Sequence, residues 1–374
     1  MKIKYTTRFK DAPQVSESEK SDLSDVVERF PFRTNTYYDQ LINWSDADDP
    51  LRRIVYPSED ERIDWGHLDA SDEGAYQPVP GLEHKYHDTA LLLCNDTCAA
   101  YCRFCFRKRL FQKENDEVVK DVSMGISYIK SHTEINNVLL TGGDPLILST
   151  RNLRKIIDPL MEIDHLRNIR IGTKVPAFNP FRIIEDPELF KLIESVKSKR
   201  VYILTQFNHP RELTAVASQS VSMLMQSGAT VVNQTPMISK VNDSSSVLSE
   251  LFNTLSNMGI LSYYVFACRP TNGNRPFIVP IEKAFEIFKA AQRLNSGLAK
   301  TARFVMSHSI GKIEVIGRED NFMFFKYHNL VDQSLNGTIV FAPCNEKALW
   351  FDDYSVSGGV VPEAMKSASY VSNV

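Results

Sequence analysis

After residue 86 the chain alternates short apolar runs with segments of helical period, and this alternation constrains its fold more than any other feature. Strand-like runs occur at 89–93, 137–141, 169–173, 201–206, 230–234 and 262–268, with helix-period segments between them at 122–132, 150–162, 186–197, 211–227, 246–258 and 281–295. Six strand-then-helix units in succession imply a parallel sheet with right-handed crossovers. Six units rather than eight predict an open barrel, so the expected class is α/β, a partial (β/α)6 TIM-like barrel. The flanks differ. Residues 1–85 are acidic and irregular, with helices expected at 17–30 and 36–43, and read as an N-terminal helical extension. From residue 301 the pattern turns to β, at 301–307, 312–317, 322–328 and 338–341. The chain is thereby divided into an extension (1–85), a barrel (86–298) and a C-terminal β-rich segment (299–374).

A hydrophobic fraction of 43% over 374 residues supports a sizeable core, and a net charge of -3 implies no basic surface for nucleic acid or membrane. The first twenty residues are polar and carry no secretory signal, and no run approaches the ~18 apolar residues of a membrane span. Six cysteines, three of them in one loop, do not form a disulfide framework. A cytoplasmic location is expected.

The loop after the first strand holds Cys98-x-x-x-Cys102-x-x-Cys105. Thiolates are the usual ligands of iron–sulfur clusters, and a [4Fe–4S] cluster normally takes four. Three close together, without an obvious fourth, suggest a cluster with one iron open to S-adenosylmethionine, whose sulfonium bond one electron can cleave to a radical. The spacing differs from the paired cysteines and histidines typical of zinc. Chemistry in such barrels gathers at the C-terminal ends of the strands. There the second strand ends in Thr141-Gly142-Gly143-Asp144-Pro145, the fourth in Gln206-Phe207-Asn208-His209-Pro210, the fifth in Asn233-Gln234 and the sixth in Cys268-Arg269. The two glycines allow close backbone approach to a ligand, and Asp144 is placed to accept from an ammonium group. His209 on its own reads as a packed or capping histidine.

Taken together, Pro78–Leu82, His84-Lys85-Tyr86-His87, Tyr101–Arg109, Thr141–Leu146, Phe207-Asn208-His209-Pro210, Asn233-Gln234 and Val241-Asn242-Asp243 resemble the lysine 2,3-aminomutase family of the radical S-adenosylmethionine superfamily. The resemblance implies a [4Fe–4S] cluster on Cys98, Cys102 and Cys105, and S-adenosylmethionine held in part by Gly142, Gly143 and Asp144. Cys94, Cys268 and Cys344 have no ligand role in that scheme and read as buried small hydrophobes. It further implies pyridoxal 5'-phosphate and a 1,2-amino shift driven by a 5'-deoxyadenosyl radical, an isomerase activity. The lysine that carries pyridoxal matches Lys312, in the order Ser296-Gly297, strand, Gly311-Lys312, although the family's glycine run is replaced by Ser307–Gly311. Lys85, Arg107, Gln234 and Arg269 fall at substrate- or cofactor-facing positions, and Arg107 matches the residue that pairs with the substrate α-carboxylate. The resemblance also implies an electron donor such as flavodoxin or ferredoxin.

Departures from the family bear on substrate. Arg269 and Ser307 stand where lysine-using members have acidic residues, Thr89 replaces an arginine, and Ser244 replaces a zinc-binding cysteine. A lysine ammonium would be left unpaired in a closed site, which is costly, whereas an arginine suits a carboxylate or phosphate. The expected substrate is therefore a small amino-acid-like molecule other than free lysine. The alternatives are a pyridoxal-independent radical enzyme with the same fold, and a non-catalytic cluster protein.

Overall fold

The computed structural model describes residues 2–112, 115–119 and 121–357. The end of the C-terminal segment, 358–374, and the start of the chain at Met1 lie outside the described residues.

The N-terminal part contains β1 (Tyr5–Thr6), α1 (Glu17–Asp22), α2 (Ser24–Arg29), β2 (Thr34–Asn35), α3 (Thr36–Asp39) and α4 (Pro50–Val55). The expected helix at 17–30 is thus two short helices, broken at Leu23, and α4 begins at Pro50 under an Asp49 cap that accepts from the backbone N–H of Leu51 and Arg52. Proline at the first helical position loses no hydrogen bond, which is why the start falls there. Phe9, Phe32 and Tyr56 pack their rings edge to face as the extension's own apolar centre.

The rest is one eleven-stranded sheet. In chain order its strands are β3 (Leu82–Tyr86), β4 (Thr89–Asn95), β5 (Asn137–Gly142), β6 (Asn168–Thr173), β7 (Arg200–Thr205), β8 (Thr230–Met237), β9 (Leu261–Ala267), β10 (Arg303–His308), β11 (Gly311–Glu319), β12 (Phe322–Leu330) and β13 (Ile339–Pro343), and they lie side by side in that same order. β4 to β10 pair in parallel, while β3 and β11 to β13 add antiparallel edges. Because β3 pairs with β4 and β10 with β9, the sheet runs through both divisions drawn from sequence, at 85/86 and 298/299.

The crossovers carry α5 (Ser123–Ser131), α6 (Thr150–Met161), the short α7 (Val175–Phe178) and α8 (Phe181–Ile184), α9 (Pro187–Ser195), α10 (Ala215–Gln226), α11 (Ser245–Asn257) and α12 (Ile281–Arg293). Their starts follow local chemistry. Ser149, Thr214 and Ser244 each accept a backbone N–H at the head of α6, α10 and α11. Ser244 therefore caps a helix at the position where a zinc-binding cysteine was absent. Helix α6 buries Leu153, Ile156, Ile157 and Leu160, a stripe at helical spacing, against the sheet. Alternate residues of the parallel strands are apolar and buried, as Val138, Leu140, Ile169, Ile171 and Ile203 are.

Candidate active site

The loop between β4 and α5 carries the three cysteines, and the N-terminal extension clamps it. Arg103, between Cys102 and Cys105, is buried and makes a forked ion pair with buried Glu61 at 2.9 Å. Its Nη1 donates to the carbonyls of Phe30 and Pro31. The backbone N–H of Tyr101 reaches Arg33 and that of Arg103 reaches Ile54. The acidic, irregular extension thus fixes the loop's shape.

The turn after β5 packs on the same loop. Gly142 has a φ of +108°, and a Cβ there would meet the Asn95 carbonyl at 2.5 Å; at Gly143 it would meet the Thr97 backbone at 2.5–2.8 Å. The N–H of Gly143 donates to Asn95 and that of Asp144 to Thr97. The glycines are thus required by the approach of the two loops, whatever a ligand adds. Asp144 differs from the sequence expectation. Its buried carboxylate accepts from Thr173 Oγ1 and from the backbone N–H of Leu146, Lys174 and Val175, at 2.7–3.1 Å. Four donors use its acceptor capacity, so these oxygens serve the protein's own turns and are not free for an ammonium group. Burial still pushes its pKa up against those donors.

The candidate cluster, cofactor and substrate residues line one cavity of about 340 Å³: Lys85, Cys98, Cys102, Cys105, Arg107, Gly142, Gly143, Asp144, Gln234, Arg269 and Lys312. Glu73, Glu83, Arg170 and Lys174 join them, and none of these four was legible beforehand. Glu73, from the extension, lies at the centre of the charged wall. It pairs with Arg107 at 2.9 Å and Arg109 at 2.8 Å, and Arg269 Nη1 stands 3.8 Å away. Arg107 also donates to Thr141 Oγ1 and, at 3.4 Å, to Glu83. Of its five N–H groups one remains unengaged among the described residues. The three arginines hold the Glu73 carboxyl well below the usual carboxylate range, although burial opposes them. Glu83, buried and beside the charged Glu73, is pushed up to about 8.

Arg269 stacks on Phe106, with its guanidinium carbon 3.6 Å from the ring centre, and its Nη1 has no hydrogen-bond partner. Lys85 donates to the carbonyls of Ser71 and His308, 3.0 Å each. Lys312 opens β11, opposite Ser307 on β10 and Asn329 on β12. Its Nζ sits over the Tyr86 ring at 4.2 Å with no carboxylate partner among the described residues. Burial, then the Arg170 charge, lower its pKa to about 8. Lys174 is bound at 2.7 Å to the Gln206 carbonyl, Asn208 and Glu212. His209 caps the turn at Pro210–Glu212 by accepting from Arg211. Asn208, Asn233 and Asn242 join the ends of β7 and β8 through Thr235 and nearby backbone.

Burial pushes the thiols of Cys98, Cys102 and Cys105 up, and the Arg107 backbone N–H opposes the rise at Cys105. All six cysteines are free; Cys94 and Cys268 are buried, whereas Cys344 is partly exposed, unlike its expected burial. Among the described residues no three His, Cys, Asp or Glu side chains converge as ligands of a single metal ion. A cluster asks for something else, since its thiolates grip three different irons and stand farther apart. Three free thiols on one cavity, with no acid or base among the described residues bonded to them, fit that demand. No helix among the described residues is long and apolar enough to cross a membrane.

Comparison with known proteins agrees. The chain is 50% identical over 374 residues to an Aquifex aeolicus protein named "Putative L-lysine 2,3-aminomutase", covering 99% of both chains. It is 32% identical over 300 residues to the L-lysine 2,3-aminomutase of Clostridium subterminale, covering 79% of this chain and 71% of that one. A radical SAM methyltransferase structure from Sphaerobacter thermophilus superposes at a TM-score of 0.40 with 17% identity, over 60% of this chain and 68% of that one. No family model matches. The chain belongs to the lysine 2,3-aminomutase-like family of radical S-adenosylmethionine enzymes. It is an aminomutase-like isomerase, and its family implies a [4Fe–4S] cluster, S-adenosylmethionine and a reductant.

Proposed function

We propose that the chain performs a 1,2-amino shift on an amino acid other than free lysine, with pyridoxal phosphate attached at Lys312 and Arg269 facing an acidic group of the substrate. The observation that carries this reading is the placement of Lys312 on the cavity of the three cysteines, with no carboxylate partner among the described residues and an amine lowered to about 8. A lysine that must form an imine has to lose its proton near neutral pH, and burial beside a second cation is a known route to that state. Pyridoxal phosphate, when bound, supplies an aldehyde and a conjugated ring able to share an unpaired electron. Cys98, Cys102 and Cys105 would hold the cluster, and the backbone of Gly142 and Gly143 would line the methionyl end of S-adenosylmethionine. Asp144 would act as a positioning residue for that turn.

Two further observations support the rest of the reading. Arg269 has an unpartnered Nη1 and only a distant share of Glu73, so a substrate carboxylate would complete it, whereas a second ammonium group would add to the positive charge already there. Residues from β3, β4, β5, β6, β7, β8, β9 and β11 line one cavity, which supports a sheet curled as a partial barrel. Borohydride treatment of protein supplied with pyridoxal phosphate should leave a phosphopyridoxyl group on Lys312, and glutamate should outcompete lysine. Failure to take up pyridoxal would overturn the aminomutase reading in favour of a pyridoxal-independent radical reaction. Unchanged substrate preference in Arg269→Asp would overturn the acidic-group assignment alone.

A further inference from the structure

We infer that Arg170, beside Lys312 on the cavity wall, seats an oxyanion supplied from outside the protein, and that this anion is the phosphate monoester of the pyridoxal cofactor. The inference rests on the assignment of Lys312 above and extends it to a strand residue with no other role.

Arg170 lies in the middle of β6 and its side chain reaches the cavity. Among the described residues its guanidinium makes no hydrogen bond or ion pair, and its Nε is fully enclosed without a partner. The titratable groups that face it are Asp88, Tyr86, Tyr263 and Tyr264. Asp88 is engaged by Thr89 Oγ1 at 2.9 Å and Tyr264 by His328 at 2.8 Å. Among the described residues the Lys312 ammonium likewise makes no side-chain hydrogen bond or ion pair, and it sits over the Tyr86 ring. Two unpaired cations lining one cavity repel each other, and a half-buried charge without a partner is costly unless something answers it. The other arginines are answered: Arg107 and Arg109 bond directly to Glu73, and Arg269 shares it at 3.8 Å. Arg170 alone among these four makes no ion pair with a carboxylate among the described residues, Asp88 being near but bonded to Thr89, which suits it to the ligand group of highest negative charge. A guanidinium meets a phosphate through two parallel N–H bonds. In pyridoxal phosphate the ring carbon that bears the phosphate arm adjoins the one that bears the aldehyde. A lysine that reacts with the aldehyde therefore needs a phosphate seat at its side, and Arg170 is the charged neighbour that acts most strongly on Lys312.

The probe is pyridoxine 5'-phosphate, which has an alcohol in place of the aldehyde and cannot bond to lysine. Calorimetry on anaerobically purified, cluster-containing protein would compare it with pyridoxine and with inorganic phosphate. The wild type should prefer the phosphorylated form, and Arg170→Gln should lose roughly ten- to hundredfold of that preference, the loss of one or two charged hydrogen bonds. Arg170→Lys, which keeps the charge, should lose less, and circular dichroism of both variants should match the wild type. Equal weakening of pyridoxine and its phosphate, or no change in either, would overturn the proposal. So would Arg170-dependent binding of glutarate without Arg170-dependent binding of phosphate, which would give the seat to a substrate carboxylate. Absence of borohydride labelling at Lys312 with an intact Arg170-dependent preference would remove the lysine assignment and leave the phosphate seat standing.

Discussion

The carboxylate of Glu73 meets the guanidinium edge of Arg107, accepting two hydrogen bonds, from Nη2 at 2.9 Å and from Nε at 3.0 Å. One partner comes from the irregular N-terminal extension and the other from the cysteine loop. Their pairing brings a negative charge into a wall that otherwise gathers Arg107, Arg109 and Arg269.

Removing that charge should therefore unsettle the whole wall. Glu73→Ala should lower stability by about 3–5 kcal/mol, the usual effect of leaving buried arginines without their partner. Glu73→Gln, which keeps hydrogen-bond acceptance, should fall between. Thermal unfolding followed by circular dichroism would check the order; a Glu73→Ala protein as stable as the wild type would contradict it.

Each of Cys98, Cys102 and Cys105 changed to alanine should abolish the brown chromophore and the formation of 5'-deoxyadenosine. The same change at Cys94, Cys268 or Cys344 should leave iron content unaltered. Iron analysis with visible spectra is the measurement, and a full cluster in Cys102→Ala is the result that would sink the assignment.

Gly143→Ala puts a methyl group 2.5–2.8 Å from the Thr97 backbone, one residue before Cys98. Backbone cannot step aside as a side chain can, so the cysteine loop must shift, at a cost of about 1–3 kcal/mol. The expected outcome is a folded protein with reduced cluster occupancy. Occupancy equal to the wild type would show that the two loops do not need the close approach.

The Lys312 amine gives a pH dependence whose sign follows from its environment. Burial lowers its pKa from 10.5 to about 8, so between those values the unfolded chain holds the proton that the folded chain has released. Stability of the ligand-free protein from this residue should rise with pH across that window, and the penalty for the buried charge is fully present below about 8. Capture of pyridoxal phosphate should speed up with a midpoint near 8, as the neutral amine becomes available. Denaturant titrations at several pH values, with Lys312→Met as control, would test the first; a slope unchanged in the variant would refute it.

Most of the fold was legible in the sequence because its signals are periodic. The six expected strand–helix units fall within a few residues of β4 to β9 and their helices, since apolar runs and helical stripes repeat along the chain. The cysteines and the glycine pair were legible because their spacing is itself the signal. Glu73, Glu83, Arg170 and Lys174 were not. Each is a single charged residue in a strand or an irregular segment, and what distinguishes it is a partner, or the lack of one, far away in sequence. The glycines show the same limit in another form: their neighbours are the backbone atoms of Asn95 and Thr97, which no local pattern announces.

Lys85 holds the carbonyls of Ser71 and His308 at once, a single ammonium tying the extension to the turn that leads into β11. Seen along a growing chain, this tie sets an order of events. The cysteine loop and the extension that braces it emerge first, and the hairpin with Lys312 follows about two hundred residues later, at synthesis rates of roughly 5–20 residues per second. Until then the cavity that the cysteines line lacks the Lys312 part of its wall, so the site is completed only when that hairpin docks.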